Sequence, residues 1–303
     1  MFLYSLVNPG YEALLKAEVA FRHPEFTPSF SRPGYVTFKG PASHGVPTFW
    51  FARANGVFLA KGKAADAKAL IDQHSSGRVV HFFDLLMKAA TGEPAGPETE
   101  ILDVVDLGDG ELWLGHRTVK PYRWSIPAGL PLLVLPVQAP SRAWLKLEEV
   151  LLWSGWAPEP TTVAVELGSA PGGASWALLQ RGVQLTGVDV AAMNDVCLSH
   201  PGYTHVALSV RDLRKKHLPV RIDALFCDLG LSPVEAIPQL RELCHLHPEI
   251  SRLFYTLKWG EGIPMATLQK HLDALHTLGF TLRCTHLPSN RAELTVVGTR
   301  KPA

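Results

Sequence analysis

A glycine-rich segment at residues 168–173 has the composition of a ligand-binding turn. The apolar run 162–165 precedes it, the acidic residue Glu166 follows that run, and a helical pattern extends over 175–181. This order predicts a strand, a tight loop and the N-terminus of a helix. Because glycine has no Cβ, the backbone N–H groups of such a loop can approach a ligand closely. An acid at the strand end suits a ligand with a donor or a positive group better than a phosphate, so the segment favours S-adenosylmethionine (SAM).

The spacing of the glycines separates this loop from two other types of ligand-binding loop. The glycines do not fit the G-x-G-x-x-G fingerprint of dinucleotide sites, and no lysine follows them as in a phosphate-binding P-loop. An ordinary strand-to-helix turn without a ligand stays open as an alternative. If the loop binds SAM, the residues expected to contact the cofactor are Gly168, Ala170, Pro171, Gly172 and Gly173.

Three aspartates stand at or after the ends of successive predicted strands. Asp189 ends the second strand, where its carboxylate can accept hydrogen bonds from both ribose hydroxyls of SAM. Asp212 follows the third strand and can accept from the adenine amino group, and Asp228 ends the fourth. Open α/β sheets bind ligands at this edge, so we expect all three in the cofactor site. For any single aspartate, capping of a helix or turn is an equal alternative.

Two lysines and a glutamate are placed near the same edge. Lys146 lies on the predicted helix before the first strand, Lys258 ends the fifth strand, and Glu293 opens the last one. The fourth, fifth and last strands can bring Asp228, Lys258 and Glu293 together above the sheet. Burial at a strand end predicts a pKa for Lys258 below the reference value of ~10.4, and a neighbouring cation would lower it further.

The elements that must position these residues alternate between strand and helix patterns. Strands are predicted at 162–167, 184–189, 205–210, 222–228, 252–258, 280–287 and 292–299, and helices at 141–153, 173–182, 234–246 and 265–278. This alternation predicts a mostly parallel sheet with helices on both faces. The segment 288–291 is too short for a parallel crossover, so the last two strands should be antiparallel. The predicted fold class is α/β, with a Rossmann-like SAM methyltransferase sheet of seven strands, one of them antiparallel.

The first part of the chain predicts a smaller α+β domain. Strands are predicted at 2–7, 35–39, 101–106 and 111–116, and helices at 11–21 and 78–90. Residues 107–110, Leu-Gly-Asp-Gly, are a hairpin signal between two of these strands. Prolines at 121, 127, 131, 136 and 140 mark a linker. We therefore divide the chain into domains at 1–137 and 138–303.

Composition restricts the possible partners. The chain has 303 residues and a formal net charge of +1, so overall charge makes no case for a nucleic-acid partner. A local basic patch could still bind RNA, and the candidates are Arg211–His217 and Lys120–Trp124, with solvated loops as the alternative. No apolar run is long enough to span a membrane, and Met1–Val7 lacks the basic leader of a signal peptide. Together with four cysteines that show no paired spacing, these features predict a cytoplasmic protein without a membrane partner.

Two further sequence features have structural interpretations that we favour. Cys244-His245-Leu246-His247 contains metal-ligand types, but no second cluster at zinc-finger spacing accompanies it, and no metal is expected. Trp124 and Trp259 could stack on bases of single-stranded RNA. Packing into the core is the preferred interpretation for both rings.

The site residues also carry a resemblance to a known family. In order and strand position, they resemble the Lys-Asp-Lys-Glu tetrad of RrmJ/FtsJ-like ribose 2′-O-methyltransferases: Lys146, Asp228, Lys258 and Glu293. Within that superfamily, Ala139–Glu149 and Arg291–Val296 are similar to the RlmM-like bacterial enzymes that methylate a cytidine of large-subunit ribosomal RNA. The resemblance is strong over 139–300 and extends weakly towards the N-terminus.

The resemblance implies a function and a role for each member of the tetrad. It implies a SAM-dependent RNA ribose 2′-O-methyltransferase whose partner is large-subunit rRNA or its precursor, with no obligate protein partner. Lys258 would activate the 2′-hydroxyl, Lys146 would add a second positive charge, and Asp228 and Glu293 would position the two ammonium groups. Residues 1–137 would form a THUMP-like RNA-binding region, abbreviated around 60–95.

Two other functions stay open. One is a SAM methyltransferase for a small molecule or a protein, which two lysines at these positions disfavour. The other is an inactive RNA-binding protein on a methyltransferase scaffold, which the intact loop and tetrad disfavour.

Overall fold

Contacts within the chain divide it into two units, Met1–Leu132 and Leu133–Ala303. The computed structural model describes residues 1–121, 124–259 and 262–301. Within these ranges, none of the helices combines the length and the apolar character needed to cross a membrane. The predicted boundary after residue 137 lies in the same proline-rich segment as the end of the first unit.

The first unit is built on an eight-stranded sheet with the order β2-β3-β1-β4-β8-β7-β5-β6. Neighbouring strands are antiparallel apart from β5 and β7, which are parallel. Its elements are β1 Phe2–Val7, α1 Glu12–Arg22, β2 Thr27–Arg32, β3 Tyr35–Lys39, β4 Ala52–Lys63, α2 Ala67–His74, β5 Val79–Asp84, β6 Ala89–Thr91, β7 Glu100–Asp106 and β8 Glu111–Thr118.

One prediction for this unit is wrong: residues 78–90 form strands β5 and β6 rather than a helix. His81 and Phe83 are buried while Phe82 between them is 42% exposed, which is the period-2 burial of a strand. The adjacent β-branched residues Val79 and Val80 also favour a strand. Pairing with β7 adds ladder hydrogen bonds that the local pattern could not reveal. The predicted hairpin is confirmed as β7 and β8.

The second unit contains a seven-stranded sheet with the order β11-β10-β9-β12-β13-β15-β14. Its elements are α3 Ala143–Ser154, β9 Val163–Leu167, α4 Gly173–Leu179, β10 Gln184–Val188, α5 Asp195–Leu198, β11 Tyr203–Val206, β12 Ala224–Cys227, α6 Pro233–Leu246, β13 Arg252–Lys258, α7 Met265–His276, β14 Thr281–Thr285 and β15 Glu293–Thr299. β15 is antiparallel to both of its neighbours, whereas the pairs from β11 to β13 are parallel. The predicted sheet of seven strands with one antiparallel strand is confirmed.

The strand order creates a switch point beside β9. The chain runs from β9 outward to β10 and β11, then returns to place β12 on the other side of β9. The connections from β9 and β12 therefore leave in opposite directions and open a crevice at the carboxyl ends of these strands. The predicted cofactor and catalytic residues follow these ends.

Local sequence fixes the helices that flank this edge. Ser232 and Glu235 form a capping box at the start of α6, and Pro233 occupies its first turn. α3 buries Leu147, Val150 and Leu151 and ends at Gly155, whose φ of 67° is a left-handed C-terminal cap. Because one face of α3 is packed in this way, the position of Lys146 on the helix is defined.

Candidate active site

The glycine loop between β9 and α4 requires its glycines for steric reasons. Gly168 has φ +80°, and a Cβ there would lie 2.7 Å from the carbonyl oxygen of Asp228. Gly172 has φ +113°, and a Cβ on Gly173 would lie 2.3 Å from the Oγ of Ser141. The Ala170–Pro171 peptide bond is cis. The loop therefore lies against the start of the segment after β12, which brings the predicted cofactor loop to Asp228.

Asp189 is held against this loop. Its Oδ2 accepts a hydrogen bond from the Ala170 N–H at 3.0 Å, and its Oδ1 accepts from the Ala191 N–H at 2.9 Å. Each carboxylate oxygen keeps a further acceptor position for a ligand hydroxyl. Asp212 lies in a short 3-10 turn, Val210–Asp212, and is exposed. The predicted contacts of both residues with the cofactor stay predictions.

Glu166 is the acid that the sequence placed at the end of the strand. The strand continues to Leu167, and the Glu166 side chain is buried and accepts a 2.5 Å hydrogen bond from Ser175. Burial raises the pKa of Glu166 to about 8 against the opposing hydrogen bond from Ser175, and the Asp228 and Asp189 charges contribute to this rise. The acid is therefore a buried support beneath the loop.

The structure brings the four residues of the predicted tetrad into one cluster. Lys146 Nζ lies 3.0 Å from Asp228 Oδ2 and 2.6 Å from Glu293 Oε1. Lys258 Nζ lies 2.9 Å from Asp228 Oδ1 and 3.5 Å from Glu293 Oε2. Lys258 and Glu293 are register partners in β13 and β15, so the sheet itself fixes their separation. We call these four residues the charged cluster.

The charged cluster borders an open cleft. The cleft has a volume of about 440 Å³ including its mouth, and its wall includes Lys146, Glu166, Asp228, Phe254 and Thr295. Lys258 is 31% exposed and Lys146 24% exposed, whereas Glu293 is only 8% exposed. The ammonium groups can therefore meet a substrate, while Glu293 acts from behind them.

The pKa of Lys258 corrects an expectation from the sequence. Burial alone would lower it, but the charges and hydrogen bonds of Asp228 and Glu293 raise the pKa above the ordinary lysine value. At Asp228 burial acts to raise the pKa, and the charges of Lys146 and Lys258 outweigh it, so the carboxyl pKa is lowered. Lys258 is therefore an ammonium group at neutral pH, because it faces two carboxylates and shares them with Lys146.

A buried network that the sequence analysis missed supports Glu293. Asn290 donates from Nδ2 to Glu293 Oε1 at 3.4 Å and accepts from the Leu287 N–H and the Thr295 hydroxyl. Glu149 on α3 accepts from the N–H and the hydroxyl of Ser289. These bonds tie the connection between β14 and β15 to the helix that carries Lys146. Only the proximity of Asn290 to Glu293 in sequence could have indicated this role.

The other predicted residues lie in less specific surroundings. In the patch Arg211–His217, Arg211 pairs with Glu235, while Arg214, Lys215 and Lys216 are exposed. In the patch Lys120–Trp124, Lys120 pairs with Glu98, Trp124 is a core residue at 3% exposure, and residues 122 and 123 lie outside the described residues.

The last two features singled out in the sequence are Trp259 and the segment 244–247. The Trp259 ring lies 5.9 Å from the ring of His286. Cys244 is buried on α6. Across residues 1–121, 124–259 and 262–301, no group of three or more His, Cys, Asp or Glu side chains is arranged to hold a metal ion.

Comparison with known proteins places the chain in a family. Residues 139–270 match the family model described as FtsJ-like methyltransferase. A protein from Halorhodospira halophila named ribosomal RNA large subunit methyltransferase M is 32% identical over 96% of this chain and 94% of its own length. The protein of that name from Methylococcus capsulatus is 36% identical over 46% of this chain and 39% of its own length.

The geometry of the second unit agrees with these matches. In this unit Gly168 lies against the Asp228 carbonyl, and Asp189 is hydrogen-bonded to the same loop through the Ala170 N–H. The charged cluster consists of the four residues for which the sequence predicts a tetrad like that of this family. The chain is a SAM-dependent methyltransferase that belongs to the FtsJ-like family, together with the large subunit methyltransferases M.

Proposed function

We propose that this chain transfers the methyl group of SAM to a ribose 2′-hydroxyl of RNA, with large-subunit rRNA or its precursor as the substrate. The charged cluster is the observation that carries this proposal. A ribose hydroxyl is a weak nucleophile near neutral pH and needs a group that stabilises its developing negative charge. Two ammonium groups within 3.5 Å of shared carboxylates at the cofactor edge supply that charge.

The cofactor would be held by the loop that includes Gly168, Ala170, Pro171, Gly172 and Gly173, together with Asp189, Asp212 and the start of the segment at Asp228. Bound SAM supplies a methyl group on a good leaving group, so the acceptor oxygen is the weak partner of the reaction. The work of the protein is therefore to orient and activate that oxygen.

We assign the roles within the charged cluster from its geometry. The Lys258 ammonium would donate a hydrogen bond to the 2′-oxygen and stabilise its negative charge, because its raised pKa keeps it protonated. Lys146 would add a second positive charge. Asp228 and Glu293 would hold both ammonium groups in place and balance their charge. The new O–CH₃ bond would form as the bond between the methyl carbon and the sulfonium sulfur breaks, which leaves S-adenosylhomocysteine, and the hydroxyl proton would go to solvent.

The two parts of the chain would divide binding and chemistry. We propose residues 138–303 as the methyltransferase domain and residues 1–137 as an abbreviated THUMP-like RNA-binding region with its linker. An rRNA substrate would place this activity in the cytoplasm.

The alkali resistance of the product tests the site of methylation. The protein is incubated with labelled SAM and ribosomal RNA, and the RNA is then hydrolysed with alkali. A ribose 2′-O-methyl group blocks cleavage at its own nucleotide, so we expect the label in alkali-stable dinucleotides. Label in mononucleotides would indicate base methylation and would contradict the proposal. Label in a protein or small molecule in the same mixture would contradict the RNA substrate.

A further inference from the structure

The sheet of the first unit carries an open aromatic cavity that the proposed methyl transfer does not use. The aromatic cavity has a volume of about 510 Å³ and is lined chiefly by Phe2, Phe30, Thr37, Phe58, Lys61 and Trp113. All of these residues belong to the unit Met1–Leu132. Phe2 is 43% exposed, and Phe30 and Phe58 are half-buried.

Irregular pairing in the sheet gathers these side chains on one face. Along β4 the register with β8 shifts between Phe58 and Ala60, so that Phe58 faces Gly115 and Lys61 faces Trp113. This bulge places Phe58 and Lys61 on the same side of the sheet, although three positions separate them. Leu3 pairs with Val57, which puts Phe2 beside Phe58 on the neighbouring strand.

The core covers only part of this face. Tyr4, Leu6 and Ala54 belong to a buried cluster that includes Phe83 and Leu85. This buried cluster does not extend to Phe2 at the start of β1, whose side chain is exposed. The Tyr4 ring covers Gly115 on β8, where a Cβ would lie 2.3 Å from that ring.

Positive charge accompanies the rings that line the cavity. Lys61 Nζ lies 5.4 Å from the centroid of the Trp113 ring. Lys39 is exposed and is the register partner of Phe2 on β3, and Lys63 is exposed two positions beyond Lys61. Glu111 accepts a hydrogen bond from the Trp113 indole and is the register partner of Lys63. Lysines thus outnumber the carboxylate around the rings, in a chain whose net charge is only +1.

We propose that the aromatic cavity binds a base of single-stranded RNA, with the base against Phe2 and Phe58 and a neighbouring phosphate at Lys61. This site rests on the proposed function, since it supposes that the substrate is RNA. A nucleotide joins a flat π-surface to a negative charge, and the cavity joins aromatic rings to ammonium groups. An apolar peptide could cover the phenylalanines but would leave the lysines without a complementary charge.

Binding of a short oligoribonucleotide to the full chain tests the site. Phe2→Ala and Phe58→Ala should each weaken the affinity for a fluorescent single-stranded RNA of about eight nucleotides by ~10-fold, the loss expected for one stacking ring. Lys61→Gln should weaken it by ~3-fold at low salt and reduce the slope of log K against log salt by about one.

Matched variants separate a lost contact from a general disturbance of the unit. Phe21 and Phe82 are 46% and 42% exposed and lie outside the cavity, so Phe21→Ala and Phe82→Ala should leave RNA affinity unchanged. Lys68→Gln is the corresponding lysine control. Equal losses in the control and cavity variants would overturn the proposal. A change in oligomeric state on Phe2→Ala with unchanged RNA affinity would also overturn it, because the cavity would then contact a second copy.

Photocrosslinking makes the test independent of folding effects. An oligoribonucleotide with 5-iodouridine should crosslink to a peptide that contains Phe2, Phe58 or Trp113, and crosslinks confined to the second unit would overturn the proposal. Methyl transfer to rRNA by the unmodified protein is measured in parallel. If the unmodified protein methylates rRNA and Phe2→Ala binds RNA with unaltered affinity, only the proposed cavity site is contradicted. If the unmodified protein neither methylates rRNA nor binds RNA, the proposed function and the cavity site are both contradicted.

Discussion

At the residue scale, the two positive and two negative side chains of the charged cluster neutralise one another. Each of the two lysine ammonium groups lies within 3.5 Å of both carboxylates. Removal of one partner would leave a partly buried charge without compensation, which is more costly than the loss of an exposed ion pair. Substitutions in this cluster should therefore change the pH dependence of the reaction as well as its rate.

Asp228→Asn should move the alkaline limit of methyl transfer to lower pH. The carboxylate of Asp228 raises the pKa of Lys258, so its loss lowers that pKa and the ammonium is lost earlier as pH rises. At neutral pH we also expect transfer to slow by ~100-fold, since a positioned charge is lost. The measurement is the rate of transfer from labelled SAM to rRNA across pH 6–10. Asp273→Asn, at an exposed site on α7, is the control.

The opposite pH effect would contradict this account. If Lys258 worked as a neutral base, the lower pKa in Asp228→Asn would increase the neutral fraction of Lys258. Transfer by the variant would then recover as pH rises, and the assigned ammonium role would be wrong.

Glu166 predicts a pH dependence of stability. Its pKa is about 8 in the folded chain and 4.5 for the ordinary group, so the folded form binds more protons between these values. The contribution of Glu166 to the free energy of unfolding should therefore be complete below pH 4.5 and be lost as pH rises through 8, a decline of ~2–5 kcal/mol. The glutamine in Glu166→Gln cannot ionise, so the free energy of unfolding of this variant should not show this part of the decline. Urea unfolding without cofactor at pH 5 and pH 8 measures it, and parallel declines in the two proteins would contradict the prediction.

At the scale of elements, the glycine loop and the segment after β12 depend on each other. Gly168→Ala would place a Cβ 2.7 Å from the carbonyl oxygen of Asp228 at a φ of +80°. We expect SAM affinity, measured by calorimetry, to fall by at least ~10-fold and stability by ~1–3 kcal/mol. Gly230→Ala is the matched control, because a Cβ there meets nothing within 4 Å. Equal SAM affinity in the two variants would show that the loop does not need this conformation.

The elements also show what the sequence could predict. The strand 252–258 and the last strand follow from apolar runs and fall where predicted, as Arg252–Lys258 and Glu293–Thr299. The sequence predicts the third strand at 205–210, but the strand lies at Tyr203–Val206, because Ser209 caps a 3-10 turn that begins at Val210. In the first unit, pairing with distant β7 decided the structure of residues 78–90.

Some features of the site could likewise be predicted from the sequence, and others could not. Four charged side chains at strand and helix ends could be found from residue type and order. The direction of the Lys258 pKa could not be predicted, since it depends on the two carboxylates that folding brings within 3.5 Å. The Asn290 network was equally hidden, because its bonds to Leu287 and Thr295 depend on the path of the chain between β14 and β15.

For the whole molecule, two separate sheets carry two kinds of surface. The second unit holds the glycine loop and the charged cluster, and the first unit holds the aromatic cavity. A net charge of +1 gives little long-range attraction to a polyanion. Recognition of RNA by this chain must therefore depend on local contacts of the kind that these surfaces offer.

The most direct measurement compares Lys258→Ala with the unmodified protein in both SAM affinity and methyl transfer to ribosomal RNA. We expect SAM affinity within about twofold and transfer slower by at least ~1000-fold, because the charge that stabilises the 2′-oxygen is lost while the cofactor loop is intact. Lys270→Ala on the exposed side of α7 should retain both properties. Transfer by Lys258→Ala at a rate close to that of the unmodified protein would show that the Lys258 ammonium does not activate the 2′-hydroxyl.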